Sequence, residues 1–210
     1  MAHLTSGVST TGAVGLGMNA ANPFFNKITN GVDVTLQNGS IQTITGNAQE
    51  IWAFASVNFG KSQILRYDAS NGSFLGAYDY ENTTVTGMTS NFSARALYFD
   101  ELGRKWIGLL SGGLIVKDGD SWVNVNLPDI FPAGAAVSAN AMAKGEFGSI
   151  LIGTSQGLVI YSGGDISNAA SYKRLTTAYG LPSNNVLDVI RREDGLIIVA
   201  TDAGIAFMKK

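Results

Sequence analysis

Three observations predict an all-β chain built from about four repeated units of four antiparallel strands. The first is an aromatic-led pentad that recurs along the chain: "FNKIT" (25–29), "FLGAY" (74–78), "WVNVN" (122–126) and "YKRLT" (172–176). The leading aromatics lie 49, 48 and 50 residues apart, from 25 to 74, 74 to 122 and 122 to 172. The second is an echo in "GRKWIGLLSGGLIV" (103–116) and "GSILIGTSQGLVIY" (148–161), each just before a pentad, and in "GLIIVATDAGIAFM" (195–208) after the last one. "EIWAFASVNFGKSQILRY" (50–67) is a degenerate copy with a longer turn. The third is the shortness of the apolar runs. They are β-branched, closely punctuated by Gly, Asp and Asn, and nowhere extend into an amphipathic helix of about ten residues.

Each unit resolves into four elements. A first strand ("SIQTIT", "ARALYF", "SANAMA", "NVLDVI") runs into a turn rich in Gly, Asp or Asn, residues that accept the backbone angles of tight turns. A second strand carries one bulky residue at a constant place: Trp52, Trp106, Leu151 and Ile198, at steps of 54, 45 and 47. These are read as packing positions between units. Gly113, Gly157 or Gly204 then reverses the chain into a third strand, and the aromatic-led pentad is the fourth. Units of this length and strand count are the blades of a β-propeller, whose two apolar faces are buried only by stacking on neighbours. The expected blades are 40–78, 93–126, 138–176 and 185–210. The last has room for three strands, and 24–29 is read as its fourth, brought from the N-terminal side to protect the sheet edge. Residues 22–210 then form one propeller domain, and 1–21 a tail.

Composition narrows the function classes. Of 210 residues, 45% are hydrophobic and only 14% charged, against roughly 25% in an average soluble domain. Ser, Thr, Asn and Gly supply the polar surface, as in many secreted or cell-surface β proteins. A net charge of −2 gives no reason to expect nucleic acid or an anionic membrane as partner. There is no cysteine, so disulfides and thiolate metal sites are excluded. No apolar run reaches the roughly 18 residues of a membrane span. Residues 4–26 are uncharged, but they are interrupted by polar residues and lack a preceding basic region, so they are not read as a retained signal peptide.

"GLPSNNVLDVIRREDGLIIVATDAGIAF" (180–207) resembles the two-component-regulator propeller repeat. Gly180, Leu181, Pro182, Ser183, Asn184, Val186, Gly195, Thr201 and Gly204 match that pattern, while Ile198 replaces its usual Trp and Ala200 its usual Gly. "KWIGLLSGGL" (105–114) keeps Trp and Gly with one extra residue, and "LIGTSQGLVIY" (151–161) matches without Trp. The resemblance implies an extracytoplasmic platform for a ligand or partner. Examples of such platforms are the sensor propellers of hybrid histidine kinases and the cell-surface proteins of Bacteroidetes, including accessory proteins of type IX secretion. Propellers of that family usually have more than four blades. The chain is therefore either a complete small ring or a piece of a larger one.

Chemistry has few candidates. The sole histidine is His3, so triads, histidine general bases and histidine-ligated metals are not expected. The carboxylate groupings "DGD" (118–120), "EDG" (193–195) and "DYE" (79–81) fall at predicted turns, where backbone geometry alone calls for them. No metal and no cofactor is expected. The loops leading from each fourth strand to the next first strand are more suggestive. Tyr80, Asn82, Phe92, Phe131, Tyr179 and Asn184 would offer aromatic platforms with amide partners on one propeller face. The expected function is non-catalytic binding of a protein partner or a glycan or peptide ligand, as part of a signalling or secretion assembly in a periplasmic, cell-surface or secreted setting. A carbohydrate-binding propeller is the alternative, and a carboxylate enzyme the third reading. The chain is expected as a monomer, or as a homodimer that completes a larger ring.

Overall fold

The computed structural model describes residues 6–8, 14–16, 39–57, 62–83, 85, 86, 88, 89 and 92–209. Within the stretch read as a tail, β1 (Ser6–Val8) and β2 (Val14–Leu16) form a short antiparallel pair. The first sheet holds β3 (Gly39–Gly46), β4 (Glu50–Val57), β5 (Gln63–Asp68) and β6 (Phe74–Tyr78). The second holds β7 (Ala94–Phe99), β8 (Lys105–Leu109), β9 (Leu114–Asp118) and β10 (Ser121–Val125). The third holds β11 (Val137–Lys144), β12 (Ile150–Thr154), β13 (Gly157–Tyr161) and β14 (Tyr172–Leu175). The fourth has three strands, β15 (Val186–Arg191), β16 (Ile197–Thr201) and β17 (Gly204–Met208). Every sheet is an antiparallel meander in chain order, the arrangement of a propeller blade.

Side chains at the turns account for where the strands stop. Between first and second strands, Asn47 Oδ1 accepts from the N–H groups of Gln49 and Glu50, and Asp100 Oδ1 from those of Leu102 and Arg104. Such side-chain turns substitute for ladder bonds that the reversal interrupts. Between second and third strands the chain needs positive φ, which it takes at Gly113 (77°), Gly157 (131°) and Gly204 (141°). A Cβ at Gly157 would stand 2.4 Å from the carbonyl oxygen of Leu175, and one at Gly113 2.8 Å from that of Val125. Each of those carbonyls belongs to an outermost strand. At Gly204 the nearest atom would be Pro182 Cβ, at 3.7 Å, because the fourth sheet has no described outer strand. The segment Phe25–Thr29, expected to supply it, lies outside the described residues.

Strand alternation divides each sheet into two faces. One face holds the rows that contain Trp52 and Phe54, Trp106 and Gly108, Leu151 and Gly153, and, in the last sheet, Ile198 and Ala200. In the first three sheets this face packs on the following sheet: Trp52 and Phe54 join Leu97, Ile107 and Ile115, and Trp106 joins Ile150, Ile152 and Tyr161. Leu151 and Leu158 join Val186, Val189 and Val199. The glycines set the spacing. A Cβ at Gly108 would lie 2.5 Å from Val137 Cγ1, and one at Gly153 2.9 Å from Val186 Cγ1, so each glycine leaves a notch for the next inner strand.

The inner strands β3, β7, β11 and β15 pack on one another in that order, which makes a propeller-like arc. Among the described residues the two end strands, β15 and β3, share no comparable packing, and the arc stays open between the fourth and first sheets. The open ends bear on the expectation of a four-bladed ring locked by a terminal strand. Among the described residues, inner-strand packing makes three junctions and no comparable fourth.

Glu50 ties the first junction. Its carboxylate accepts from Trp52 Nε1 at 2.9 Å and pairs with Lys105 Nζ of the second sheet at 3.0 Å and Arg66 Nε at 3.5 Å. Burial opposes its ionisation, but the donors Trp52 and Lys105 and the charges of Lys105 and Arg66 together outweigh it, and its pKa is lowered. A lowered folded-state pKa contributes stability above the unfolded value, about 4.3, that is lost as pH falls through the folded one. The urea midpoint is expected to fall less steeply with acidification in Glu50→Gln than in the native chain over that range. Parallel curves would show that Glu50 carries none of the acid sensitivity.

Candidate functional site

The loops that join each sheet to the next, at 79–93, 126–136 and 176–185, are bound to one end of the arc by a repeated bond. The turn between second and third strands donates an N–H to the carbonyl that precedes its own inner strand: Leu110 to Ser93, Ser155 to Ala136, and Asp202 to Asn185. The third copy is reinforced by Asn185 Nδ2 donating to Asp202 Oδ2 at 3.1 Å. Donors from Ser183 and Asn185 lower the pKa of the Asp202 carboxyl. The repeated bond thus holds each second-to-third-strand turn beside the residue where the preceding loop enters its inner strand.

The six loop residues expected to form a platform separate into two groups. Phe92 and Phe131 are 5% exposed and belong to the core. Phe92 packs on Phe54 at 5.1 Å between ring centroids, and Phe131 on Tyr172 at 6.3 Å. Each fills the wedge between consecutive sheets at the loop end, with Leu181 in the corresponding place between the third and fourth sheets. An unsubstituted ring beside an apolar wedge gains more by burial than by facing water. Neither ring therefore offers a surface to a ligand. The two amides serve the backbone. Asn82 accepts from the Asp79 N–H and donates to the Ala77 carbonyl, and Asn184 accepts from the Thr177 N–H at 2.8 Å.

Tyr80 and Tyr179 are the aromatics left at the surface. Tyr80 is 37% exposed and its hydroxyl donates to Glu81. Tyr179 is 65% exposed at the end of a 3-10 turn, Thr177–Tyr179. Asn184 binds the first residue of that turn, and Gly180 closes it with φ 95°. Lys173 Nζ lies 5.4 Å from the centre of the Tyr179 ring. The sequence alone gave no sign of Lys173. It stands on β14, and the pairing appears only when the following turn folds back toward that strand.

The carboxylates of the predicted turns have turn roles. Asp79 is buried and accepts from the N–H groups of Glu81 and Asn82, and Asp194 accepts from Leu196 and pairs with Arg192 at 3.1 Å. Asp118 and Asp120 flank an exposed reversal at Gly119. Among the described residues no group of three or more His, Cys, Asp and Glu side chains is placed to hold a metal ion. None of their helices is long and apolar enough to cross a membrane.

Two further features stand outside the loop edge. At the opposite end of the sheets a cleft of about 340 Å³ opens between the third and fourth, with Leu151, Ile160, Ile197 and Met208 along its walls. Nearby, a buried ion pair of the second sheet reaches the third through a tyrosine hydroxyl. Asp100 Oδ2 accepts from Arg104 Nε at 2.6 Å and from Trp106 Nε1 at 2.9 Å, and Arg104 Nη1 donates to the Tyr161 hydroxyl at 3.0 Å. Burial pushes the neighbouring Tyr172 phenol up, and it stays a neutral donor to the Ile166 carbonyl. The spacing of Asp100, Gly103, Arg104 and Trp106 is a sequence signal for this network, once an acceptor for the indole N–H is sought.

No family model and no curated protein sequence matches the chain. Solved structures do match it in fold. The extracellular domain of the hybrid two-component system BT4673 from B. thetaiotaomicron superposes with a TM-score of 0.63 at 19% identity, over 89% of this chain and 23% of that one. PorZ, a surface component of the type-IX secretion system of Porphyromonas gingivalis, gives 0.58 at 16% identity, over 80% of this chain and 24% of that one. A streptogramin B lyase gives 0.52 at 12% identity, over 81% of this chain and 54% of the lyase. The chain therefore shares its fold with these structures, in line with the repeat resemblance at 180–207. The chain spans about a quarter of the first two.

Proposed function

We propose that this chain is a non-catalytic binding module that works outside the cytoplasm, as part of a sensor or secretion assembly, and that it grips a protein partner through its loop edge. The observation that carries the reading is Tyr179. A large amphipathic ring is held out to solvent on a turn clamped by Asn184 and Gly180, with a lysine beside its face. Rigid aromatic anchors of this kind supply most of the energy of protein interfaces, because little side-chain entropy is lost when they are covered. The fold shared with BT4673 and PorZ supports an extracytoplasmic setting. The Asn82 amide is engaged with backbone at both its oxygen and its nitrogen, and Asn184 at its oxygen, which weighs against a sugar platform that needs those groups beside the rings.

The test pairs an affinity measurement with a glycan array. Partner proteins captured from the envelope and secreted fractions of the native host are expected to bind Tyr179→Ala at least about tenfold more weakly. The urea midpoint should change by no more than the equivalent of about 0.5 kcal/mol, since the ring is exposed. Glycan binding that depends on Tyr179 would overturn the reading in favour of a lectin. Capture indifferent to Tyr179 would remove the loop edge as the site.

A further inference from the structure

The fourth sheet carries a face that the other three sheets bury. Ile64, Leu114, Leu158 and Ile205 hold one register position, each paired with the residue two places after Trp52, Trp106, Leu151 and Ile198. The first three are 0% exposed and Ile205 is 59% exposed. Phe207, paired with Ile198, is 66% exposed, and Ile190 on its other side 50%. At the far end of the arc the opposite face is uncovered along its inner strand. Leu97, Met142 and Val189, which pair with Ile107, Ile152 and Val199, are 7%, 9% and 3% exposed. Ile44, their counterpart opposite Ala53 in β3, is 59% exposed.

The two ends are complementary in kind. One presents the face that receives a following blade, and the other presents the face that docks on a preceding one. Details of the internal junctions are repeated there. Val137 and Val186 fill the notches at Gly108 and Gly153. Ile41 holds the corresponding place in β3, paired with Ala55 as Val137 is with Thr154 and Val186 with Thr201, and it is 38% exposed. On the fourth sheet Ala200 stands at the place of those glycines, beside a shallow groove of about 90 Å³ lined by Ile190, Ile198, Val189 and, at its rim, Asp188. An isoleucine side chain is of the size to occupy it.

We infer that the open face of the fourth sheet docks the uncovered inner-strand side of the first sheet of a second copy of this chain, head to tail, with Ile41 seated against Ala200 and Ile44 against Ile190 and Phe207. The contact continues the series of sheet junctions inside each copy and is independent of the loop edge at Tyr179. Because it joins unlike surfaces, copies add in one direction and stop when the ring closes.

Sedimentation velocity over a hundredfold range of concentration tests it. The native chain is expected to pass from one chain mass to a discrete multiple. Phe207→Glu and Ile44→Glu are each expected to stay at one chain mass with unchanged far-UV circular dichroism, since both sites are exposed in the single copy. Ile205→Lys provides a second fourth-sheet variant if Phe207→Glu misfolds. An equimolar mixture of Phe207→Glu and Ile44→Glu restores one intact contact and is expected to form a dimer that neither variant forms alone. A native chain that stays at one chain mass throughout, an assembly indifferent to these charges, or a mixture that stays monomeric would each overturn the inference.

Discussion

Replacing Asp100 by alanine is expected to lower stability by about 3–5 kcal/mol, the cost of leaving one member of a buried ion pair without its partner. The Asp100 and Arg104 side chains are 5% and 8% exposed. Oδ1 closes the turn at Leu102 and Arg104, and Oδ2 holds the Arg104 guanidinium and the Trp106 indole. Without that carboxylate the guanidinium remains between the Trp106 and Tyr161 rings, 5.3 and 5.2 Å from their centres, with the Tyr161 hydroxyl as its remaining hydrogen-bond partner in the cluster. The neighbouring pair of Glu101 and Lys144 provides the control. Its side chains are 61% and 49% exposed, and Glu101→Ala is expected to change stability by about 0–1 kcal/mol. Urea denaturation of the two variants decides the matter. A loss at Asp100 as small as that at Glu101 would mean that water replaces the carboxylate and that the network does not join the sheets.

The second large effect compares one register position in two sheets. Leu158→Ala removes a fully buried side chain between the third and fourth sheets and is expected to cost about 2–5 kcal/mol. Ile205→Ala, at the same place in the fourth sheet, is expected to cost within about 0.5 kcal/mol in dilute solution, because its side chain already faces water. Chemical denaturation at low protein concentration reads both. Equal losses at the two positions would show that the fourth sheet's face is covered in the single copy, against the open arc described above.

The repeat was legible because strand alternation writes burial directly into the residue pattern. Trp52, Trp106 and Leu151 recur in sequence and face the next sheet in space. Gly113, Gly157 and Gly204 recur because the same reversal requires positive φ three times. The candidate platform is less legible in the sequence. Phe92 and Phe131 occupy polar, irregular loops, where composition alone places an aromatic at the surface as readily as in a wedge between sheets. Asn82 and Asn184 looked available for the same reason, since local sequence does not show which backbone N–H an amide will meet. The pairing of Lys173 with Tyr179 depends on a turn folding back on a strand.

By itself the sequence determined the four-unit repeat, the antiparallel meander within each unit and the bulky packing position on each second strand. These follow from periodicity, β-branching and turn chemistry within about fifty residues. Only the tertiary structure decided which aromatics are core and which are surface, and where the chain of junctions stops. Those outcomes depend on the angle and spacing between sheets. Glycine notches, inserted valines and wedge-filling rings set that geometry jointly across separate repeats. Ile205 and Leu158 carry nearly the same side chain at the same register position, but among the described residues only Leu158 has a following sheet packed over it.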